Sequence, residues 1–264
     1  METSSGAGKR RTFRIVALAL VVVPFILLSW TEPVQRQQSA MIVAAYHGAS
    51  EKIFSWRSRP IIQDYLDSHS LRKLQIGAGT NGLEDWLNTD ISAEEGLAYL
   101  DATKRFPFED NSFHYVFSEH VIEHLSYDNG KKMLMESYRI LAPGGKIRIA
   151  TPNLLRFVAL FQENKTDEMR TYLQGKLAWH GWPDYTTAEC FVLNLQLRSF
   201  GHEFVYDPRT LEAAFASAGF RDIQEFRPGD SDDPHLRGIE VRQSTNIKDV
   251  SEYETMVFQA VKPQ

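Results

Sequence analysis

Cysteine is almost missing from this chain of 264 residues, with Cys190 standing alone, so neither an internal disulfide nor a cysteine-based metal cluster can form. Low-complexity tracts are absent, as are repeats with a period of roughly 20–50 residues, which excludes a solenoid or a propeller. There is no excess of basic charge either. Lys+Arg number 29 against 34 Asp+Glu, a formal net charge of −5, the wrong sign for a protein held to nucleic acid by bulk electrostatics. What is present is the balance of an ordinary globular core, 43% hydrophobic, 12% aromatic and 24% charged. A disordered or collagen-like chain is thereby excluded.

One long apolar run stands near the start. Lys9, Arg10, Arg11 and Arg14 precede a stretch that opens at Ile15, is interrupted at Ser29 and closes on Trp30. As a helix, residues 12–30 would span about 28 Å at ~1.5 Å per residue, close to the hydrocarbon thickness of a bilayer. Trp30 falls where an interfacial aromatic belongs, and Pro24 is tolerable in a membrane helix. Residues 31–36 hold no pair of small residues spaced for cleavage, which favours a retained single-pass anchor over a signal peptide. The expected division is a basic tail at 1–12, an anchor at 13–30, a connector and leading helix at 31–70 and the main domain at 71–262. Membrane localisation follows. The cations precede the span and only Arg36 follows closely, so the positive-inside rule places the main domain outside the cytoplasm, while the side of the membrane stays open.

From Leu71 onward strands and helices alternate. Strands are expected at 72–76, 86–91, 98–100, 112–117, 146–150, 220–226 and 255–261. Helices are expected at 61–66, from Glu119, at 129–141, at 154–162, at 167–177, and from Pro208 to a stop at Gly219. This order predicts an α/β fold, a Rossmann-like, doubly wound, mostly parallel sheet covered on both faces. Little helix separates the final two strands, so the last is expected to run antiparallel at or near the edge.

Ligands of such sheets bind beyond the carboxyl ends of the strands. After the first strand comes Gly77-Ala78-Gly79-Thr80-Asn81-Gly82, a match to G-x-G-x-x-G. A dinucleotide site needs a helix directly after those glycines to hold the pyrophosphate. Only Leu83-Glu84-Asp85 separate Gly82 from the next strand, which leaves no room for one. A ligand without a pyrophosphate fits better. Asp90 ends the second strand, where a carboxylate can accept from both ribose hydroxyls, and Asp101-Ala102 follow the third, where one can accept from an adenine amine. Together these positions converge on an adenosine.

Here the sequence resembles the class I S-adenosylmethionine-dependent methyltransferases, specifically the type-11-like group of small methyltransferases. The resemblance is carried by 73–79, 85–90, 101–102 with 106–113, 118–125, 139–145, Gly201-His202-Glu203 and 218–220, and spans roughly 71–262. It implies S-adenosylmethionine as cofactor, with Gly77, Ala78 and Gly79 around its methionine part, Asp90 on the ribose and Asp101 and Ala102 at the adenine edge near 106–108. Ser118 and Glu119 complete the implied set. Two departures from the family pattern stand out: Gln75 occupies a position where many members carry an acid, and the helix between the first two strands is nearly absent.

A sulfonium methyl is already activated, so a base is needed only where the acceptor must lose a proton, as a hydroxyl does. His120, in a helix expected from Glu119 and capped by Ser118, is the first candidate base, and His202 the second. His120 to His124 also reads H-x-x-E-H, a zinc-peptidase signature. That reading is set aside because the motif begins directly after a strand, and no metal is expected. Acceptor recognition falls to 167–201, where Trp179 to Pro183, Tyr185 and Phe191 suggest a lid or pocket wall, with Cys190 buried rather than nucleophilic. The acceptor class is a small molecule or a glycan- or lipid-linked hydroxyl, with the membrane as a partner through the N-terminal helix and nucleic acid as none. The competing functions are an NAD(P)-dependent oxidoreductase using the glycine turn and a catalytically silent cofactor-binding relative.

Overall fold

The computed structural model describes residues 52–92, 96–182, 188–240 and 252–264. The expected anchor at 13–30 lies outside them, and among the described residues no helix is long and apolar enough to cross a membrane.

Seven strands form one sheet: β1 (Lys73–Ile76), β2 (Leu87–Asp90), β3 (Ala98–Tyr99), β4 (Phe113–Glu119), β5 (Leu141–Pro152), β6 (Arg221–Phe226) and β7 (Thr255–Val261). Their spatial order is β3-β2-β1-β4-β5-β7-β6. β1 pairs in parallel with β2 on one side and β4 on the other, so the order reverses there. β7 is antiparallel to both β5 and β6. It therefore lies one place in from the edge, and β6 is the edge strand. Its five central residues, Met256 to Ala260, are all buried, which is why a near-continuous apolar run was needed there.

Alternation along the central strands separates two faces. Leu74, Ile76, Val116, Ile147 and Ile149 meet helix α1 (52–68) through Tyr65, α2 (Tyr127–Ile140) through Met133 and Leu134, and α6 (Pro208–Ser217) through Leu211 and Phe215. α2 buries Gly130, Met133, Leu134, Ser137 and Ile140, the spacing of one helical stripe. Its N-cap, Ser126, accepts from the Asn129 amide at 3.4 Å, and Asp207 caps α6 by accepting from Thr210 at 2.7 Å. Each cap contributes about 1 kcal/mol.

Among the described residues, no helix packs against the central strands on the opposite face. Phe117 and Trp86 meet Leu236 there, Arg148 is fully buried against Glu240, and Asp233 takes both Tyr115 and Lys146. The loop 228–240 thus replaces the helical layer that the sequence pattern called for, because 77–86 contain turns only. Gln75 explains its own departure from the family pattern: its amide donates to the Asn81 carbonyl at 3.1 Å and accepts from the Leu83 amide at 3.0 Å. A carboxylate cannot donate and would lose the first bond.

A second cluster of buried residues joins α3 (Leu154–Ala159), α4 (Asp167–His180) and α5 (Ala188–Arg198) around Phe157, Tyr172 and Val192. The expected lid or wall is therefore largely two helices. Cys190 sits on the outer surface of α5, exposed rather than buried. Glu254 ties this layer to β7, accepting from Tyr172 Oη at 2.7 Å and Gln196 at 3.1 Å and pairing with Lys176 at 2.8 Å. Pro183 and Tyr185 lie outside the described residues.

The helix expected from Glu119 does not form. Glu119 is the last residue of β4, His120 has a left-handed backbone (φ 52°), and a single 3-10 turn follows at Ile122–His124. A right-handed helix cannot continue through such a residue, so Ser118 caps nothing and the long helix starts instead at Tyr127.

Candidate active site

Parallel register brings the sequence-selected positions to one rim. Ile76 is paired with Thr89 on one side and Ser118 on the other, and Asp90 is paired with Tyr99. Gly77, Asp90, Asp101 and Glu119 therefore all leave the sheet at the same end. Because β7 runs the other way, its first residue, Thr255, arrives there too, beside Pro152.

Gly77 (φ 71°) and Gly79 (φ 52°) are both left-handed, a conformation that disfavours a Cβ. They differ in surroundings. A Cβ on Gly77 would run into Val121 Cγ2, whereas one on Gly79 would meet nothing within 4 Å. Between them Ala78 is buried and donates to the Thr89 carbonyl at 2.9 Å. Asp90 accepts from the Gly79 amide at 3.0 Å and the Ser92 amide at 2.8 Å, so its carboxylate is fixed against the turn. Ser118 Oγ is buried without a hydrogen-bond partner among the described residues. An open cradle, a fixed carboxylate and an orphaned hydroxyl on one rim are the features a nucleoside with a polar tail requires.

Asp101 is more self-contained. Its Oδ1 accepts from the Thr103 amide at 2.9 Å and hydroxyl at 2.6 Å, and Oδ2 pairs with Lys104 at 3.3 Å. Burial alone would raise its pKa, but these donors outweigh it and hold the carboxyl below its ordinary value. Ala102 is buried beside it, with Phe106 and Phe108 in the same core. Those aromatics are held by Arg139, which donates to the Phe106 carbonyl at 3.0 Å and the Phe108 carbonyl at 2.8 Å.

The left-handed turn after β4 has a specific result. It aims His120 Nδ1 at Glu123 Oε1, 2.9 Å away, while Glu123 Oε2 accepts from Thr151 Oγ1 at 3.0 Å. Glu123 is fully buried. Burial pushes its pKa up, yet the hydrogen bond and charge of His120 prevail and the carboxyl is held low. An ionised Glu123 only accepts, so His120 donates from Nδ1, and Nε2 faces Thr255 Oγ1 at 3.4 Å. His202, distant in sequence, lies within 4.8 Å of the same carboxylate. Its Nδ1 donates to the Gln196 carbonyl at 2.6 Å, and burial lowers its pKa. Glu123, Thr151 and Thr255 escaped the sequence reading. The H-x-x-E spacing was the one available signal for Glu123, while both threonines are assembled by sheet topology.

A cleft of about 560 Å³ adjoins Thr255 and is lined by Arg156, Glu168, Glu225, Phe226 and Arg227 among others. It opens on the same rim, along the β6 side.

Residues 75–149, from β1 into β5, match the family model described as a methyltransferase domain, type 11. This segment is similar to the class I S-adenosylmethionine-dependent methyltransferase domains of the type-11-like group, and the cofactor this similarity supports is S-adenosylmethionine. The open turn, Asp90 and Ser118 fit that cofactor, whereas the absence of a helix in 77–86 argues against a dinucleotide. Among solved structures, a SAM-dependent methyltransferase from Archaeoglobus fulgidus is 18% identical, with 80% of this chain and 94% of that one covered and a TM-score of 0.43. A possible histamine N-methyltransferase from Thermotoga maritima is 15% identical, with 81% and 95% covered and a TM-score of 0.41. Phosphoethanolamine N-methyltransferase 2 from Haemonchus contortus, in complex with S-adenosyl-L-methionine, is 17% identical, with 79% of this chain and 52% of that one covered and a TM-score of 0.38. No curated protein matches the chain.

Proposed function

We propose that the chain methylates a hydroxyl oxygen on a small-molecule or glycan- or lipid-linked acceptor, with His120 as the base. The observation that carries this reading is the buried His120–Glu123 pair at the tip of β4. Bound S-adenosylmethionine supplies a methyl group on a positively charged sulfur. Asp90 would hold the ribose, and the Gly79 turn and Ser118 the polar tail. Glu123 fixes the imidazole with its proton on Nδ1, which leaves Nε2 unprotonated; an acceptor hydroxyl that displaces the long contact from Thr255 Oγ1 can give its proton to that nitrogen. The imidazolium so formed is stabilised by the same buried carboxylate. Phe226 and the charged residues of the cleft beside Thr255 offer a wall for a polar acceptor. Membrane attachment through residues 13–30 belongs to the same reading, and carbonate extraction of the full chain from membranes would overturn it.

The deciding experiment compares extracts from cells with and without the chain for a metabolite heavier by one methyl group, followed by turnover with that acceptor and purified protein. Methylation at nitrogen or carbon would refute the hydroxyl assignment. Binding of S-adenosylhomocysteine with no methyl donor consumed would make the chain a silent cofactor-binding relative.

A further inference from the structure

Three side chains of types that bind metals converge beside the site, one of them the Glu123 that orients His120. Glu123, His124 and His202 each offer one ligand atom, and these atoms lie within 4.8 Å of one another. The grouping is set by backbone. The amides of Glu203 and Phe204 both donate to the Glu123 carbonyl, at 2.8 and 3.1 Å, which pins the segment carrying His202 onto the 3-10 turn carrying His124. Gly201 fits closely beside the His124 ring: an added Cβ would lie 3.8 Å from Nδ1.

Each donor has a free lone pair. The Gln196 carbonyl accepts from His202 Nδ1, which leaves Nε2 unprotonated. Metal-bound histidines commonly have their second nitrogen engaged in this way. His124 packs edge-on against the His202 ring, centroids 4.8 Å apart, and makes no side-chain hydrogen bond to a described residue. The Glu123 oxygens each accept a single bond, from His120 and Thr151, so either keeps capacity for a cation. His120 is not part of the set, because its Nδ1 is bonded to Glu123 and its Nε2 faces Thr255. The H-x-x-E-H sequence therefore supplies its second histidine and its glutamate, with the third donor from downstream, rather than two histidines and a basic glutamate.

We propose that Glu123, His124 and His202 bind one divalent transition-metal ion of the zinc class. Two imidazoles and a carboxylate are a donor set that suits zinc, with bonds of about 2.0–2.2 Å. In a tetrahedral site such bonds put ligand atoms about 3.4 Å apart, so the ion draws the widest pair inward by up to about 1.4 Å. Three protein donors leave a coordination position open.

The test is calorimetric titration of the chelator-stripped full chain with zinc chloride, with visible spectra of the cobalt(II) form as a second readout. One ion per chain is expected. His124→Ala and His202→Ala should each weaken binding more than about tenfold, while the exposed His235→Ala serves as control and leaves it unchanged. Circular dichroism of each variant guards against misfolding, and the cobalt(II) spectrum of the unmutated chain reports nitrogen and oxygen ligation whether or not the variants fold. Absence of stoichiometric binding by the unmutated chain overturns the proposal. Binding that survives both substitutions in folded protein does the same, by placing the ion elsewhere.

Discussion

Two glycines of one turn should fail in opposite ways when given a methyl group. Gly77→Ala forces an L residue into φ 71° and drives its Cβ into Val121 Cγ2. The left-handed backbone costs roughly 1–2 kcal/mol, and overpacking a tight contact adds about 1–3 kcal/mol, for a total of about 2–5 kcal/mol. Gly79→Ala bears only the backbone cost, roughly 1–2 kcal/mol, because nothing lies within 4 Å of its Cβ. The proposed function puts the cofactor in that open space, so Gly79→Ala should instead weaken S-adenosylhomocysteine binding. Urea unfolding measures the first effect and calorimetry the second. Combining Gly77→Ala with Val121→Ala should recover the steric part, a coupling of about 1–3 kcal/mol in a double-mutant cycle. If Gly77→Ala costs no more than Gly79→Ala, or Val121→Ala leaves its cost unchanged, the account of this turn is wrong.

Asp90→Ala removes the acceptor of two amides together with the ribose contacts proposed for it, so calorimetry should show cofactor binding abolished; unchanged affinity would refute the assignment. His120→Gln is expected to slow turnover while leaving cofactor affinity nearly intact, and a variant unaffected in both makes His120 a structural residue. Arg139→Ala leaves two loop carbonyls without their donor and Glu136 with only the Phe106 amide, and urea unfolding should show a loss of about 2–4 kcal/mol, most of it from the partners left unpaired. Glu136 carries a pH signature as well. Burial raises its pKa, but Arg139 and the Phe106 amide bring it below its ordinary value. Its stabilisation is therefore complete above the unfolded pKa of about 4.3 and is lost as pH falls through the lower folded value. Acid unfolding of Glu136→Gln should show a shallower pH dependence below about pH 4, and an unchanged slope would count against the linkage.

Much of the sheet was legible because its strands carry their burial in composition. β7 is an apolar run, β1 and the second half of β5 alternate apolar with polar residues between turn signals, and Gly77 marks the end of the first as a left-handed position. Asp90 was legible by position, as an acid at a strand tip. The turn after β4 was not. Val121 and Ile122 between charged residues mimic a helical stripe, and nothing local announces that His120 turns left-handed. Once that residue breaks the helix, the pairing of His120 with Glu123 follows from geometry alone. Helix α5 was hidden by the tryptophans, glycine and proline just before it and by a weak amphipathic pattern. Its buried positions, Ala188, Val192 and Gln196, include one small and one polar residue. The polar face under β4 and β5 was beyond reach, since Arg148 and Glu240 are distant in sequence and meet only after the loop 228–240 folds back.

The placement of β7 bears on how the chain is made. Of the described strands it is translated last, yet it fills a slot between two made before it. A nascent chain on the ribosome can zip β1 to β5 together, but β5 then presents a bare edge and β6 has no neighbour to dock on. Open edges of this kind recruit strands from other polypeptides, so the interval before β7 emerges and inserts is when this sheet is most prone to coaggregate.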